Sequence, residues 1–473
     1  MKILLINPSL IRANIGHYQE AAEKQRGIYP SLGLGYIAAV LEKENHEVKI
    51  IDCDAEKIGL STIIDKFKEY QPNLVGIYVM TWTYREAAEI TKNLKLINPK
   101  TIVVAGGPGI TCLPDIALKY ADFDFGIIGE GELTIVELIN AILRNEKDFS
   151  KIQGLTFKKG GKVLINEIRP LIDDLNSIPF PARHLMPIKN YYDVFTKRKY
   201  FTTIIATRGC PFNCTFCDRK NRMGRNWRMR SPKNIIDEIK EINSKYGIKE
   251  FMFFDDNLIA DKDWTYKFCD EISKENLKIF WECRARADML LDEIFVKKIK
   301  QAGCYRIRIG FEAGDNEILK IVKKSITVEQ SLQCAKICKK AGIEIFGYFM
   351  MGSPYETEKT VQKTLNLALE IDPSFALFSK TILIPGSEMF EWAVEKKYIA
   401  ADYWEKFMLG KEKNGAPSLN MPRLPENTID KYIKLANKKF YLRPKYILRK
   451  ILAIRSLYQF WRQIKMAIEF FIK

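Results

Sequence analysis

Short apolar runs alternate with amphipathic stretches through the first 145 or so residues. The runs Lys2–Asn7, Val48–Asp52, Leu74–Tyr78, Thr101–Ala105 and Phe125–Ile128 read as strands. The stretches Leu34–Glu44, Ile63–Tyr70, Tyr84–Leu96, Pro114–Tyr120 and Leu133–Leu143 place apolar residues on one helical face. Strand and helix in strict alternation predict a parallel sheet wound on both sides. Such a domain holds its ligand at the carboxyl ends of the strands, where the strand order reverses. The loops there are small and glycine-rich: Asn7-Pro8-Ser9, Met80-Thr81, Gly106-Gly107-Pro108-Gly109 and Gly129-Glu130-Gly131-Glu132. None is a dinucleotide fingerprint, but together they would let a backbone approach a flat or bulky ligand closely.

Prolines 170, 179, 181 and 187 interrupt regular structure after that, so 146–198 is expected to be a linker between a first domain at 1–145 and a second at 199–395. The second series of strands is Thr203–Thr207, Phe251–Asp255, Ile279–Cys283, Tyr305–Gly310, Ile345–Met350 and Leu377–Leu383. Helical patterns at Asn234–Tyr246, Trp264–Glu275, Leu290–Ala302, Val328–Ala341 and Glu358–Ile371 separate them. Six such units predict a partial parallel barrel with its chemistry at the carboxyl ends of the strands. The fold class is therefore α/β, closed by a helical region at 396–473.

At 473 residues, 47% hydrophobic and 28% charged, the chain has the composition of globular domains rather than of disorder or of a membrane span. The opening apolar run is too short for a signal peptide, and a cytoplasmic location is expected. Disulfides then have no role for the ten cysteines. Seven, Cys53, Cys112, Cys269, Cys283, Cys304, Cys334 and Cys338, are scattered among apolar segments and read as small buried hydrophobes.

The remaining three form Cys210-Pro211-Phe212-Asn213-Cys214-Thr215-Phe216-Cys217, directly after the first barrel strand. Three thiolates within eight residues can ligate three irons of a four-iron cluster and leave the fourth open. Structural zinc wants four protein ligands, whereas only His17, His46 and His184 exist and none is in the motif. On these residues the chain resembles the radical S-adenosylmethionine (SAM) enzymes, whose signature has this spacing with an aromatic, here Phe216, before the last cysteine. The resemblance implies that Cys210, Cys214 and Cys217 hold a 4Fe–4S cluster whose open iron chelates SAM. SAM then yields a 5′-deoxyadenosyl radical. It further implies cofactor contacts at the barrel rim: Asp255 and Asp256 after the second strand, Arg286 (with Arg284) after the third, Glu312 after the fourth and Gly352 after the fifth.

Pro30-Ser31-Leu32-Gly33-Leu34-Gly35-Tyr36, the turn Asn45-His46-Glu47-Val48 and the loops Gly106-Gly107-Pro108 and Gly129-Glu130-Gly131-Glu132 resemble the Rossmann-like cobalamin-binding domain of B12-dependent radical SAM enzymes. In that likeness Pro8, Thr81, Gly106, Gly107, Pro108, Gly129, Glu130 and Gly131 contact cobalamin. Asn45 stands where the family often has glycine and can take the same left-handed backbone. The Asp-x-His-x-x-Gly motif of histidine-ligated B12 enzymes is missing, so cobalt without a histidine ligand is expected, which favours methyl transfer.

The net charge of +17 is uneven: residues 438–473 carry ten Lys or Arg against Glu469 alone. Apolar positions Leu448, Ile451, Leu452, Leu457, Phe460, Trp461, Ile464 and Ile468 recur there at helical steps, as in an interfacial helix on anionic lipid. A helix packed on the barrel with a solvated basic face is the plainer alternative. The reading is thus an enzyme methylating an unactivated carbon of a hydrophobic, lipid-like substrate, as in relatives of hopanoid-modifying enzymes. Peripheral membrane contact and an external donor such as flavodoxin or ferredoxin are expected. Cyclisation of a tetrapyrrole is the alternative outcome. An RNA methylthiotransferase is disfavoured because Cys53 and Cys112 are too few for a second cluster, and nucleic-acid binding modules are not apparent.

Overall fold

A computed structural model of the chain describes residues 1–10, 27–218, 224–412, 415 and 417–452. Five parallel strands open it: β1 (Lys2–Asn7), β2 (Glu47–Asp52), β3 (Leu74–Tyr78), β4 (Ile102–Gly106) and β5 (Phe125–Ile127). The run Ile3 to Ile6 is fully buried, because helices cover both faces of the sheet. The helix Leu32–Lys43 and the helix Glu132–Leu143 pack on one face, and Leu60–Tyr70 with Tyr84–Ile97 on the other. Asn45 turns the chain from Leu32–Lys43 into β2 with φ of 60°, the left-handed conformation that its short polar side chain tolerates.

Two further strands continue this sheet: β6 (Leu155–Lys159) pairs antiparallel with β5, and β7 (Lys162–Ile165) with β6. Part of the segment expected to be a linker is thus the edge of the first sheet. The full order is β2-β1-β3-β4-β5-β6-β7. Its reversal falls between β1 and β3, which opens a crevice at their carboxyl ends.

The second sheet has strands β8 (Thr202–Ile204), β11 (Glu250–Phe253), β12 (Phe280–Ala285), β13 (Cys304–Glu312), β14 (Glu344–Met351) and β15 (Phe375–Lys380). All are parallel and each neighbours the next in sequence, as an open six-stranded barrel requires. Between β8 and β11 lies a small antiparallel pair, β9 (Thr207–Arg208) with β10 (Arg228–Met229). The intervening helices begin at polar caps; Ser231 accepts from Asn234 N at 3.2 Å, Asp261 from Trp264 N at 2.8 Å, and Thr327 from Gln330 N at 3.2 Å. The lumen of the barrel holds charge. Arg306 pairs with Glu282 at 3.0 Å and Glu344 at 2.8 Å, and Arg308 with Glu282 at 2.7 Å and Asp193 at 2.9 Å.

Beyond β15 the chain is helical. Ile429, Ile433, Ala436 and Phe440 of the helix Glu426–Tyr441 are buried in the barrel's core. The helix Pro444–Leu452 buries Tyr446, and its Arg449, with Arg443 just before it, reaches Asp372 at 2.9 and 2.7 Å. Leu448, Ile451 and Leu452 stay exposed. The rest of the basic tail, including Leu457, Phe460, Trp461, Ile464 and Ile468, lies outside the described residues, as does His17. No described helix is long and apolar enough to cross a membrane.

Candidate functional site

After β8 the chain turns sharply into β9, and the turn is held by one carboxylate. Asp255, at the end of β11, accepts from Ala206 N at 3.0 Å and Thr207 Oγ1 at 2.6 Å, and also from Thr207 N. Gly209, with φ of 90°, then opens the cysteine loop. Thr215 N donates to Val322 O at 3.1 Å and Met389 N to Thr215 O at 2.8 Å, tying the loop to the far side of the barrel.

Cys210, Cys214 and Cys217, all half-buried, line a cavity of about 280 Å³ together with Phe212, Phe216, Asp256, Arg286 and Lys324. Arg286 lies 3.7 Å over the Phe212 ring with Nη1 3.9 Å from Cys214 Sγ. Lys324 is buried and pairs with Glu312 at 2.8 Å. Burial disfavours its charge, but Glu312 and the Cys214 sulfur outweigh that and hold its pKa above the ordinary lysine value. Among the described residues no three ligating side chains gather tightly enough for a single metal ion. Three thiols lining one cavity match the ligand count of a four-iron cluster with one open iron.

Asn257 lines the same cavity at 1% exposure, and neither its carboxamide oxygen nor its nitrogen has a partner among the described residues. A buried amide left unpaired costs about 1–3 kcal/mol, so these atoms fit polar groups of a bound cofactor such as SAM. Asn257 closes the stretch Phe253-Phe254-Asp255-Asp256-Asn257, which the family resemblance sets against the cofactor; only the fold shows that its side chain lines the cavity with nothing to bond among the described residues.

The other rim residues divide. Asp256 and Arg286 face the cavity, whereas Asp255 holds the β8–β9 turn and is pushed up to about 7 by burial. Glu312, with φ of 61°, is engaged by Lys324 rather than free. Gly352 takes φ of 95° and donates its N–H to Glu356 Oε2 at 2.6 Å; a Cβ there would sit 2.7 Å from Ile429. It shapes the turn after β14 against the C-terminal helix.

A second cavity, of about 780 Å³, opens at the carboxyl ends of the first sheet. Pro8, Gly106, Gly107, Pro108, Gly129, Glu130 and Gly131 all line it. Thr81 does not; it is buried in the turn Thr81–Thr83, and its neighbour Met80 takes the wall. A Cβ built at Gly33 or Gly129 meets no protein atom within 4 Å, so the missing side chains leave room for a ligand. At Gly107, by contrast, φ is 108° and a Cβ would lie 2.8 Å from Val79 O, so glycine is required by the turn itself. The size is in the upper range for small-molecule sites and fits a large cofactor. No histidine is among the described residues that line it; His46 is at the opposite end of the sheet, its Nδ1 3.3 Å from the Met1 amino group.

The far wall of this cavity belongs to the barrel: Ile205, Arg208, Phe254, Arg284, Tyr348 and Leu377. Where the two domains meet, Glu130 accepts from Arg208 at 3.0 Å and Arg228 at 2.8 Å, and Glu132 accepts from Arg208 at 2.6 Å. All four are buried. Burial works against the Glu130 charge, yet the two guanidiniums and the Ile172 N–H hold its pKa below the ordinary value. Arg208 is two residues from Cys210, so the crevice loop of the first domain grips the base of the cysteine loop.

Residues 204–368 match the Radical SAM superfamily and residues 21–139 the B12 binding domain. Over 455 residues the chain is 32% identical to an uncharacterized methyltransferase of Pyrococcus horikoshii, covering 95% of both chains. It is 26% identical to the anaerobic magnesium-protoporphyrin IX monomethyl ester cyclase of Rubrivivax gelatinosus, over 83% of this chain and 70% of that one. The fold is similar to that of the radical SAM methyltransferase TsrM of Kitasatospora setae, solved with cobalamin and a 4Fe–4S cluster, at a TM-score of 0.77, 18% identity and 99% coverage of both chains.

Proposed function

From the premise that the chain belongs to the radical SAM superfamily, in its B12-binding branch, and uses a 4Fe–4S cluster, SAM and cobalamin, we propose that it methylates an unactivated carbon of a hydrophobic, lipid-like substrate. Cys210, Cys214 and Cys217 would hold the cluster, Asn257 and Arg286 the SAM, and the glycine loops of the first domain the cobalamin. When bound, the cluster and SAM supply a radical that removes hydrogen from carbon, and cobalamin supplies the methyl group.

One observation carries this reading: the large cavity is continuous between the glycine rim and the barrel's end. A substrate there would lie between the glycine loops and the barrel end, where Arg208 and Arg284 are each two residues from Cys210 and Arg286 of the cysteine cavity. The protein's own part is to hold that substrate, orient one carbon and exclude water. Ile205, Phe254, Tyr348 and Leu377 give the barrel wall its apolar character.

Membrane contact is proposed from the C-terminal helix, where Leu448, Ile451 and Leu452 are exposed beside Lys445. Deleting 453–473 is the informative truncation, because removing Phe440 and Tyr446 would take away buried residues. The full chain should sediment with anionic phosphatidylglycerol vesicles, and the truncated chain carrying also Leu448→Glu, Ile451→Glu and Leu452→Glu should not. Equal sedimentation of both would remove the tail's role. For the chemistry, anaerobically reconstituted enzyme is incubated with SAM carrying a ¹³C methyl group and a cell lipid extract. The label should appear on a carbon of an apolar species. SAM cleavage without any labelled lipid would overturn the substrate class, and a label found only in tetrapyrroles would replace it.

A further inference from the structure

Alternation along β12 puts Glu282 and Arg284 on one face, and Arg286 continues it just past the strand's end. The outer two have their partners: Glu282 in the lumen pairs with Arg306 and Arg308, and Arg286 sits by Cys214. Arg284, between them, has no carboxylate in ion-pairing range among the described residues. Its guanidinium lies over the Phe254 ring at 4.9 Å, and one N–H reaches the Phe254 carbonyl at 3.3 Å. Stacking of this kind holds the guanidinium plane and leaves its other donors open. Arg284 is one of the residues that line the large cavity.

The charges around that cavity are segregated. Its acidic lining residues, Asp52, Asp54, Glu130 and Glu132, all come from the first domain. Arg208, the other lining arginine, is neutralised by Glu130 and Glu132. Among the described residues the barrel wall therefore presents one uncompensated, half-buried guanidinium, that of Arg284.

We infer that Arg284 is the specificity residue that anchors an oxyanion, carboxylate or phosphate, on the otherwise apolar substrate. The inference rests on the substrate-cavity reading above. A fork of N–H donors matches such oxyanions in geometry as well as charge. Arg284 lies two residues short of Arg286, roughly 7 Å along the strand. An anion held there puts the adjoining carbons close to the cysteine cavity, so the anchor would help to select which carbon reacts.

The test is calorimetric titration of anaerobically reconstituted enzyme, carrying cluster and cobalamin, with decanoate, decyl phosphate and decanol. Wild type should bind at least one of the two anions about tenfold or more tightly than decanol, and which one distinguishes carboxylate from phosphate. Arg284→Gln should bind all three alike while keeping the cobalamin absorption spectrum. Wild type binding all three equally would overturn the anchor and leave the apolar cavity standing; no binding of any would overturn both. A variant that loses cobalamin would reassign Arg284 to that cofactor. Phenylglyoxal labelling of wild type needs no variant: the anion, but not decanol, should slow modification of Arg284 severalfold by peptide mass spectrometry, and equal rates would refute the anchor.

Discussion

Three side chains at the cysteine cavity make separable predictions. Cys214→Ala should leave the far-ultraviolet circular dichroism unchanged, lose most of the iron and abolish 5′-deoxyadenosine formation. Asn257→Ala should keep the iron yet weaken SAM binding roughly tenfold, which one or two lost hydrogen bonds predict. Because its amide is buried without partners, the same change should cost little stability; a large drop in melting temperature would mean that Asn257 is structural. Asp255 answers to pH. Its folded pKa of about 7 lies above the ordinary 3.8, so the native state holds its proton more tightly than the unfolded chain does. That contribution to stability is complete below about pH 4 and disappears as pH rises through 7, by about 1.4 kcal/mol per unit at the steepest. Asp255→Asn, which can still accept from Ala206 and Thr207, should show a flatter denaturation profile across that interval. The cysteines were legible because their motif is local. Glu312 was legible as a rim residue, but its engagement by Lys324 was not, and neither was the lack of partners at Asn257; both facts exist only once the barrel is assembled.

Elements followed the apolar periodicity closely where both faces of a strand, or one face of a helix, are buried. Glu358–Ile371 has the bounds that its pattern gives, and β11 to β15 fall within a few residues of theirs. The hairpin β6–β7 escaped because it is an edge: Lys158, Lys159, Lys162 and Leu164 are exposed, and no buried alternation marks them. Its signal was the pair Gly160-Gly161, at φ of 58° and 77°, a two-residue turn that only glycine, asparagine or aspartate forms readily. The helix Leu32–Lys43 offers a test of the crevice. Gly33 has negative φ and open space at its Cβ, so Gly33→Leu should stabilise the helix by about 0.5–1 kcal/mol. The same leucine would enter the cavity, and the purified protein should therefore bind less cobalamin by absorbance. Undiminished cobalamin would place the cofactor elsewhere.

On the scale of the whole molecule, the seam between the domains is the part that no single-residue or single-element reading could supply. Glu130 and Arg228 are 98 residues apart in the chain, and their contact depends on both sheets being in place. Removing the Glu130 carboxylate leaves Arg208 with Glu132 and takes from Arg228 the carboxylate that meets both its Nη atoms in a buried interface. Glu130→Ala should cost about 3–5 kcal/mol in chemical denaturation, the usual penalty for breaking a buried pair. A loss under about 1 kcal/mol would show the seam to be wet and weak. The joint also bears on inheritance. Two halves that share four buried charges are transmitted as one piece. A crossover near residue 198 that brings in a first half without either glutamate strands guanidiniums at the foot of the cysteine loop. Recombination between relatives is thus screened at this seam for folding before any new pairing of cofactor and substrate is put to use.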